Sequence, residues 1–187
     1  AFRNKEIDVS VLGSQQYQDY QADPELSKGL LEVAELFTRV IGMDTSKPPF
    51  DDKRVRQAVN MAIDRNLIIE RLVKGKAFPA VGFFPTTSPA FDPAKEGYKF
   101  DPEAAKALLA EAGFPDGFDT EILANNTDPN PRIVQAIQQD LAAVGIRLNT
   151  TLRSDWVGYC NEWRQGAASG ISFSEMSWAM STDLWLR

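Results

Sequence analysis

Histidine is absent from this chain of 187 residues, and cysteine occurs only once. Histidine is the usual general base and the commonest metal ligand, so its absence removes every Ser-His and Cys-His catalytic pair. The single cysteine, Cys160, lies at helical spacing from Trp156, Tyr159 and Trp163, which favours a buried small apolar residue over a reactive thiol. Together these absences argue against an enzyme, and we predict no catalytic residues.

Positive charge is also in deficit, because 20 Lys and Arg stand against 26 Asp and Glu and give a net charge of −6. Nucleic-acid binding requires clustered basic side chains. The only basic cluster, Lys53, Arg54 and Arg56, diverges around a helix axis. We therefore predict no nucleic-acid partner, and we interpret Arg56 as a structural ion pair that anchors its helix in preference to a ligand clamp.

The chain has no uninterrupted apolar run near the ~20 residues of a membrane span, and residues 1–6 lack a signal-peptide pattern. No loop alternates Asp and Asn as a calcium or magnesium site requires, so we predict neither a metal nor a cofactor. A hydrophobic content of 43% is sufficient for a core. Both ends of the sequence look cut, and we expect a fragment of a longer protein.

Periodicity and capping signals divide the first half of the chain into short elements. Alternating Ile7, Val9 and Val11 predict a strand over 6–12, and the polar stretch 13–23 is interpreted as a loop. From Asp52, an apolar face of helical period predicts a buried helix, and Asp64 begins another that ends at Gly75. The apolar face consists of Val55, Ala58, Val59 and Ala62. The remaining predictions are a helix over 26–33, a strand over 36–43, and a long loop over 76–99 packed by Phe78, Phe83, Phe84 and Phe91.

The second half alternates between strands and helices. Asp101 and Pro102 open a helix that Gly113 closes. The predicted elements that follow are a strand over 118–124, a helix from Asn130, a strand over 146–152, a helix from Ser154 or Asp155, and a strand over 171–180. Strand, helix and strand in succession predict a right-handed crossover between parallel strands. We therefore expect one α/β unit over residues 1–187, with a mixed sheet flanked by helices.

Four segments together resemble the bacterial extracellular solute-binding protein family 5, the dipeptide- and oligopeptide-binding proteins of ABC importers. The segments are 49–58 (PFDDKRVRQA), 62–65 (AIDR), 98–113 (YKFDPEAAKALLAEAG), and 137–141 with 144–146 (IQQDL and VGI). Each motif alone is common, but their order and spacing are specific. The matches extend over residues of about 36 to 183.

The resemblance implies one lobe of a type II periplasmic-binding-protein fold, in which two lobes close on a ligand like a Venus flytrap. This chain would be most of the second lobe, and its partners would be the missing first lobe and an ABC permease. The implied ligand is a peptide or a related small polar solute, bound without chemical turnover. The implied location is extracytoplasmic, in the periplasm or as a cell-surface lipoprotein.

The resemblance also assigns candidate ligand-binding residues to the segment 177–183, where a tryptophan at the end of a strand precedes polar or acidic residues. These candidates are Trp178, Met180, Ser181 and Asp183. In peptide-binding members an aspartate shortly after the tryptophan pairs with the ligand's ammonium group. Here the position three beyond the tryptophan is Ser181, and the acid comes two residues later. Asn125, at the end of a predicted strand, is a further candidate, although a turn explains it as well.

Several alternatives remain at this point. Trp178 is either a cleft wall or a core aromatic, and Asp183 is either a ligand contact or a solvated acid. Relatives of the family also bind nickel complexes, haem or oligosaccharides, and Phe83 and Phe84 with Trp178 would suit sugar stacking. A sensor or chaperone-like interaction module is a second class of function. A hydrolase is a third, but no Gly-x-Ser-x-Gly turn is present.

Overall fold

The computed structural model describes residues 2–34, 36–165 and 171–177, in two compact units, 1–35 and 36–187. The helices are α1 (Ser14–Ala22), α2 (Lys53–Ala62), α3 (Arg65–Leu72), α4 (Pro102–Glu111), α5 (Asn130–Ala143) and α6 (Trp156–Arg164). The strands are β1 (Phe37–Met43), β2 (Phe118–Asn125), β3 (Ile146–Arg153) and β4 (Ile171–Ser177). No described helix has the length and apolar content needed to cross a membrane.

The first unit differs from the sequence prediction. The strand expected over residues 6–12 is wrong, because this segment has no ladder partner in the described part of the chain, and its Val9 and Val11 are 82% and 93% exposed. A strand requires a neighbour for its backbone groups, which a two-residue period cannot supply by itself. The expectation that the whole chain forms a single lobe stays a prediction.

The polar stretch interpreted as a loop instead contains helix α1. Its glutamines have good helix propensity, and the Gln16 side chain accepts a hydrogen bond from the backbone N–H of Gly13 at 3.3 Å. The helix expected over 26–33 shortens to a 3-10 turn, Leu26–Gly29. Asp23 accepts hydrogen bonds from the N–H groups of Leu26 and Glu25, and these bonds lower the pKa of its carboxyl group.

The second unit contains the predicted mixed sheet, with strand order β1-β4-β2-β3. Strand β2 pairs parallel with β3 and with β4, whereas β1 pairs antiparallel with β4. The predicted parallel pair on either side of α5 is therefore confirmed. The strand predicted over 171–180 is confirmed for Ile171–Ser177, and its last three residues lie outside the described residues.

The main core fills the sheet face that α2, α4 and α5 cover. Asp52 caps α2 by accepting a hydrogen bond from the Arg54 N–H at 2.7 Å, and Asp101 caps α4 through the Ala104 N–H at 2.9 Å. The four apolar residues predicted to face inward from α2 are all buried. From the sheet, Ile122, Ala124, Ile146, Leu148, Ile171 and Phe173 join the same cluster.

Helix α6 contacts β2 and β3 and covers part of the opposite sheet face. Side chains alternate along a strand, and Leu123 of β2 is buried on this second face, outside the main cluster. Tyr159 of α6 is 2% exposed, and its hydroxyl donates to the Phe173 carbonyl oxygen at 2.8 Å. Its neighbour Cys160, which we expected to be buried, is half-buried.

The long loop 76–99 was expected to be packed by four phenylalanines, and this is wrong for two of them. Phe78 is 70% exposed and Phe83 is 62% exposed, whereas Phe84 and Phe91 are half-buried. The loop nevertheless has a fixed contact with the sheet, because the Thr38 hydroxyl donates to the Phe83 carbonyl oxygen at 2.8 Å.

Candidate functional site

The carboxyl ends of β2, β3 and β4 meet at one edge of the sheet, together with the amino end of β1. The strands end there at Asn125, Arg153 and Ser177, and β1 begins at Phe37. In open α/β sheets ligands bind in the crevice outside the carboxyl ends of the strands. We therefore take this carboxyl edge as the candidate ligand site.

Strands β1 and β4 extend beyond β2 at this edge. Ala124 of β2 pairs with Phe173, and β2 ends one residue later, whereas β4 continues to Ser177 and pairs with β1 throughout. At a rise of ~3.3 Å per residue, the β1–β4 ladder projects roughly 10 Å past the end of β2. The result is a step in the edge, with the ladder as its wall.

The candidates Trp178, Met180, Ser181 and Asp183 follow this projecting ladder in the chain. All four lie outside the described residues, and their roles stay predictions. What the structure adds is the position of the residue before them, because Ser177 pairs with Phe37 at the tip of the ladder.

Asn125 ends β2 and is 5% exposed. Its side-chain oxygen accepts a hydrogen bond from the Thr127 N–H at 2.8 Å, and the neighbouring Asn126 N–H donates to the Arg153 carbonyl oxygen at 2.8 Å. These contacts form the turn that the sequence offered as an alternative. A ligand contact through Asn125 stays a prediction, since the amide oxygen already serves this turn.

An ion pair that the sequence analysis missed lies beside this turn. The Arg153 Nε atom is 3.0 Å and 3.2 Å from the two carboxylate oxygens of Glu162 on α6. The pair borders a small depression on the α6 face of the sheet, lined also by Glu121, Ile122, Leu123, Thr151 and Ile171. The alternation of polar and apolar residues along β3 indicates that its polar face, which includes Arg153, is only partly covered. No sequence pattern identifies Glu162 as the partner of Arg153.

Thr38 is a second residue at the edge that the sequence analysis missed. It is 5% exposed, and its hydroxyl binds the Phe83 carbonyl oxygen and so holds the loop against the projecting part of β1. The sequence shows only a threonine within a predicted strand, and β-sheet packing explains a threonine there equally well. Its partner is 45 residues away in the chain, and no local pattern identifies it.

Arg56 has the structural role that the sequence predicted, but with different partners. Its Nη1 atom donates to the carbonyl oxygens of Phe50 at 2.7 Å and of Asp51 at 2.9 Å. It therefore ties the segment before α2 to the helix through backbone oxygens instead of the expected ion pair. The ion pair belongs to its neighbour Arg54, which binds Asp52 at 2.6 Å and lowers the pKa of that carboxyl group.

Acidic groups meet away from the carboxyl edge, where the Asp140 carboxylate accepts a hydrogen bond from the Asp64 N–H at 3.0 Å. Burial raises the pKa of Asp140, the hydrogen bond from the Asp64 N–H opposes this rise, and the nearby charge of Asp64 adds to it. Since α5 begins after β2 and ends before β3, Asp140 near its end lies toward the opposite edge. Among the described residues, no three cysteine or carboxylate side chains converge as metal ligands do.

The comparisons with known proteins agree on one family. The model of the bacterial extracellular solute-binding proteins, family 5 (middle region), matches residues 1–184. The chain is similar to heme-binding protein A of Haemophilus influenzae, with 36% identity over 78% of this chain and 27% of the relative. It is also similar to di/tripeptide-binding protein 2 of Pseudomonas aeruginosa, with 39% identity over 68% of this chain and 24% of the relative.

Solved structures show the same relationship. The periplasmic binding protein DppA of Helicobacter pylori, in complex with the peptide STSA, superimposes with a TM-score of 0.83 at 27% identity. The match covers 94% of this chain and 33% of DppA. The chain thus spans about a third or less of the length of these relatives, with the α/β architecture of periplasmic binding proteins. It belongs to the bacterial extracellular solute-binding proteins of family 5.

Proposed function

We propose that this chain is one lobe, over residues 1–187, of a two-lobed protein that captures peptides or a related small polar solute and delivers them to an ABC importer. Its partners are a first lobe elsewhere in the same protein and the importer's permease. The protein acts outside the cytoplasm and without chemical turnover. Two relatives support the ligand class, since one is named for di- and tripeptides and the DppA structure holds a peptide.

The single observation that carries this proposal is the step at the carboxyl edge of the sheet. A site that encloses a solute needs apolar walls and a few directed polar groups. The β1–β4 ladder supplies a wall of extended backbone that leads directly into Trp178. A second lobe closing over this edge would complete the enclosure, and a ligand that contacts both lobes would favour the closed form.

Within this proposal, Trp178 forms an aromatic wall and Asp183 pairs with the ligand's ammonium group. Met180 and Ser181 contribute contacts between them, and Asn125 borders the site from the end of β2. An aspartate opposite an ammonium group gains most when closure removes water from the pair.

Haem is the second candidate ligand, because one relative at 36% identity is named for heme binding. The exposed ring of Phe83 beside the carboxyl edge favours this candidate as well, since a porphyrin presents a large apolar face. Peptides remain the first candidate, because the DppA structure holds a peptide.

The test is a thermal-shift screen of the full-length protein, stripped of co-purified ligand, against dipeptides, tripeptides, tetrapeptides, glutathione and haem. A ligand that binds only the folded state raises Tm, because it adds to the free energy of unfolding. At a ligand concentration 100-fold above Kd, the added free energy is ~2.7 kcal/mol. We expect the largest shift with short peptides. Acetylating the peptide amino group should reduce this shift.

A matched pair of variants tests the role of Asp183 in the same screen. Asp183→Asn should lower peptide affinity at least tenfold and make it insensitive to acetylation. Asp116→Asn removes the same charge from the exposed turn before β2, at the other edge of the sheet, and should leave affinity unchanged. Shifts with haem alone would replace peptides as the ligand class, and an absence of any shift would refute the proposed function.

A further inference from the structure

The loop 76–99 approaches the carboxyl edge at a defined point. The Thr38 hydroxyl holds the Phe83 carbonyl oxygen at 2.8 Å, and Thr38 belongs to the part of β1 that projects past β2. Its neighbour Phe37 pairs with Ser177, the residue directly before Trp178. Phe83 is therefore fixed beside the strand pair that leads into the candidate ligand segment.

The backbone around Phe83 is supported from within the loop and from its end. The Lys95 side chain packs beside Gly82, and the Val81 side chain packs against Gly97. The carbonyl oxygen of Tyr98 accepts a hydrogen bond from the Arg65 guanidinium group, which fastens the end of the loop to α3. A side chain on such a supported loop loses little freedom when a ligand covers it, which favours binding.

Phe83 as a whole residue is 62% exposed, although its backbone carbonyl group is held at the sheet. An exposed aromatic ring beside a ligand site gains free energy when an apolar group covers it, because burial removes both surfaces from water. A small polar group would gain less from this ring, because it removes little apolar surface from water. The position thus discriminates between ligands by their side chains.

From this placement we infer that Phe83 forms an apolar subsite that selects peptides with a large apolar or aromatic side chain, and that Thr38 positions it. The inference rests on the proposed peptide-binding function and narrows its ligand class. It predicts that affinity rises when an alanine in the ligand is replaced by leucine or phenylalanine.

Isothermal titration of the stripped full-length protein tests this with paired peptides that differ only by Ala, Leu or Phe at each position. Phe83→Ala should lower affinity for the Leu and Phe peptides about tenfold and leave the all-Ala peptide unchanged. Phe78→Ala is the matched control, since this phenylalanine is 70% exposed in the same loop, and the change should alter neither affinity. A thermal melt of each variant checks the fold.

Thr38 supplies a second readout. Thr38→Val removes the hydroxyl bond and should reduce the preference for apolar peptides, whereas Thr38→Ser keeps the bond and should restore it.

If Phe83→Ala weakens every peptide equally, or none, the subsite is wrong while peptide binding stands. If the unsubstituted protein binds no peptide, the proposed function fails and this subsite fails with it.

Discussion

At the scale of single residues, the contact between Asp140 and Asp64 shows how one carboxylate serves the fold at an electrostatic cost. Asp64 caps α3 by accepting a hydrogen bond from the Leu67 N–H at 2.9 Å, and its own N–H is held by Asp140. Burial and the neighbouring acid raise the pKa of Asp140. The acceptor atom is thus useful, whereas its negative charge is unfavourable.

Two substitutions of Asp140 separate the acceptor from the charge. Asp140→Asn keeps an oxygen for the Asp64 N–H, so its free energy of unfolding at pH 7 should equal or exceed that of the parent. Asp140→Ala leaves the donor without a partner and should cost about 1–3 kcal/mol. Equilibrium urea unfolding of the full-length protein measures both, and equal losses in the two variants would contradict the argument.

The pH dependence has a definite sign. The pKa of Asp140 in the folded protein is raised above the ordinary aspartate value of 3.8, so the folded protein binds the carboxyl proton of Asp140 more tightly than the unfolded chain does. The contribution of Asp140 to stability therefore falls as pH rises through the interval above 3.8, and is constant once the carboxyl group is ionised in both states. Any advantage of Asp140→Asn should disappear in acid.

Residue roles were predictable from the sequence where the partner is local. The four buried positions of α2 follow from helical period, and the capping roles of Asp52, Asp64 and Asp101 follow from the residues after them. The bond from Thr38 to Phe83 and the pair of Arg153 with Glu162 join different elements, so no local pattern encodes them.

At the scale of elements, the turns into β2 and β3 pack against each other through two glycines. Gly117 has φ +74 and Gly145 has φ +91, both in the left-handed region. A Cβ atom on Gly117 would lie 2.0 Å from the Gly145 carbonyl oxygen. Since the Phe118 N–H bonds to this same oxygen at 3.2 Å, the close approach begins the parallel pairing of β2 with β3.

Alanine at Gly117 should therefore be far more destabilising than alanine at another left-handed glycine. Gly113 is the matched control, because its φ is +94 but a Cβ atom there would meet nothing within 4 Å. Gly113→Ala should cost about 1–2 kcal/mol from backbone strain alone. Gly117→Ala adds a backbone clash and should cost more than about 3 kcal/mol. Comparable losses in urea unfolding would refute the steric argument.

Predictability of the elements followed the same principle of locality. The succession β2, α5 and β3 was read correctly because each element carries its own period and end signals. The prediction of a strand over 6–12 was wrong, because alternating apolar residues indicate only a preference for extended backbone. Strand pairing also requires a neighbouring strand, which the sequence of this segment does not specify. The glutamine-rich α1 was missed because it lacks an apolar face.

At the scale of the whole molecule, the proposed function requires enclosure by two lobes. Binding sites for small ligands bury most of the ligand surface. A single edge of one sheet offers contacts from one side only, and solvent screens any ion pair that it makes. Under the proposed function, closure and most of the affinity require the full-length protein.

The 187-residue chain by itself should therefore bind peptides at least a hundredfold more weakly than the full-length protein. Isothermal titration of the two proteins against the same peptide measures this, with a cooperative thermal melt to verify that the shorter chain is folded. Equal affinities would place the complete site within these residues and would refute the two-lobed model.

The site was less predictable from the sequence than the architecture was. The family resemblance pointed to residues 178–183, and these lie outside the described residues. The carboxyl edge follows from strand direction, which the sequence predicts for β2 and β3. Its step follows from the register of β1 against β4, and this register depends on side-chain packing between distant segments.

The pairing of residue 37 with residue 177 has a consequence for how the second unit acquires its structure. Of the four described strands, β1 is synthesised first, and its partner β4 follows only after the helices and the two parallel strands that lie between them in the chain. Contacts of such long sequence separation slow folding, because a large chain entropy is lost before they form. During synthesis β1 therefore has no partner strand until β4 emerges, and the pairing of these two strands completes the four-stranded sheet of the described residues.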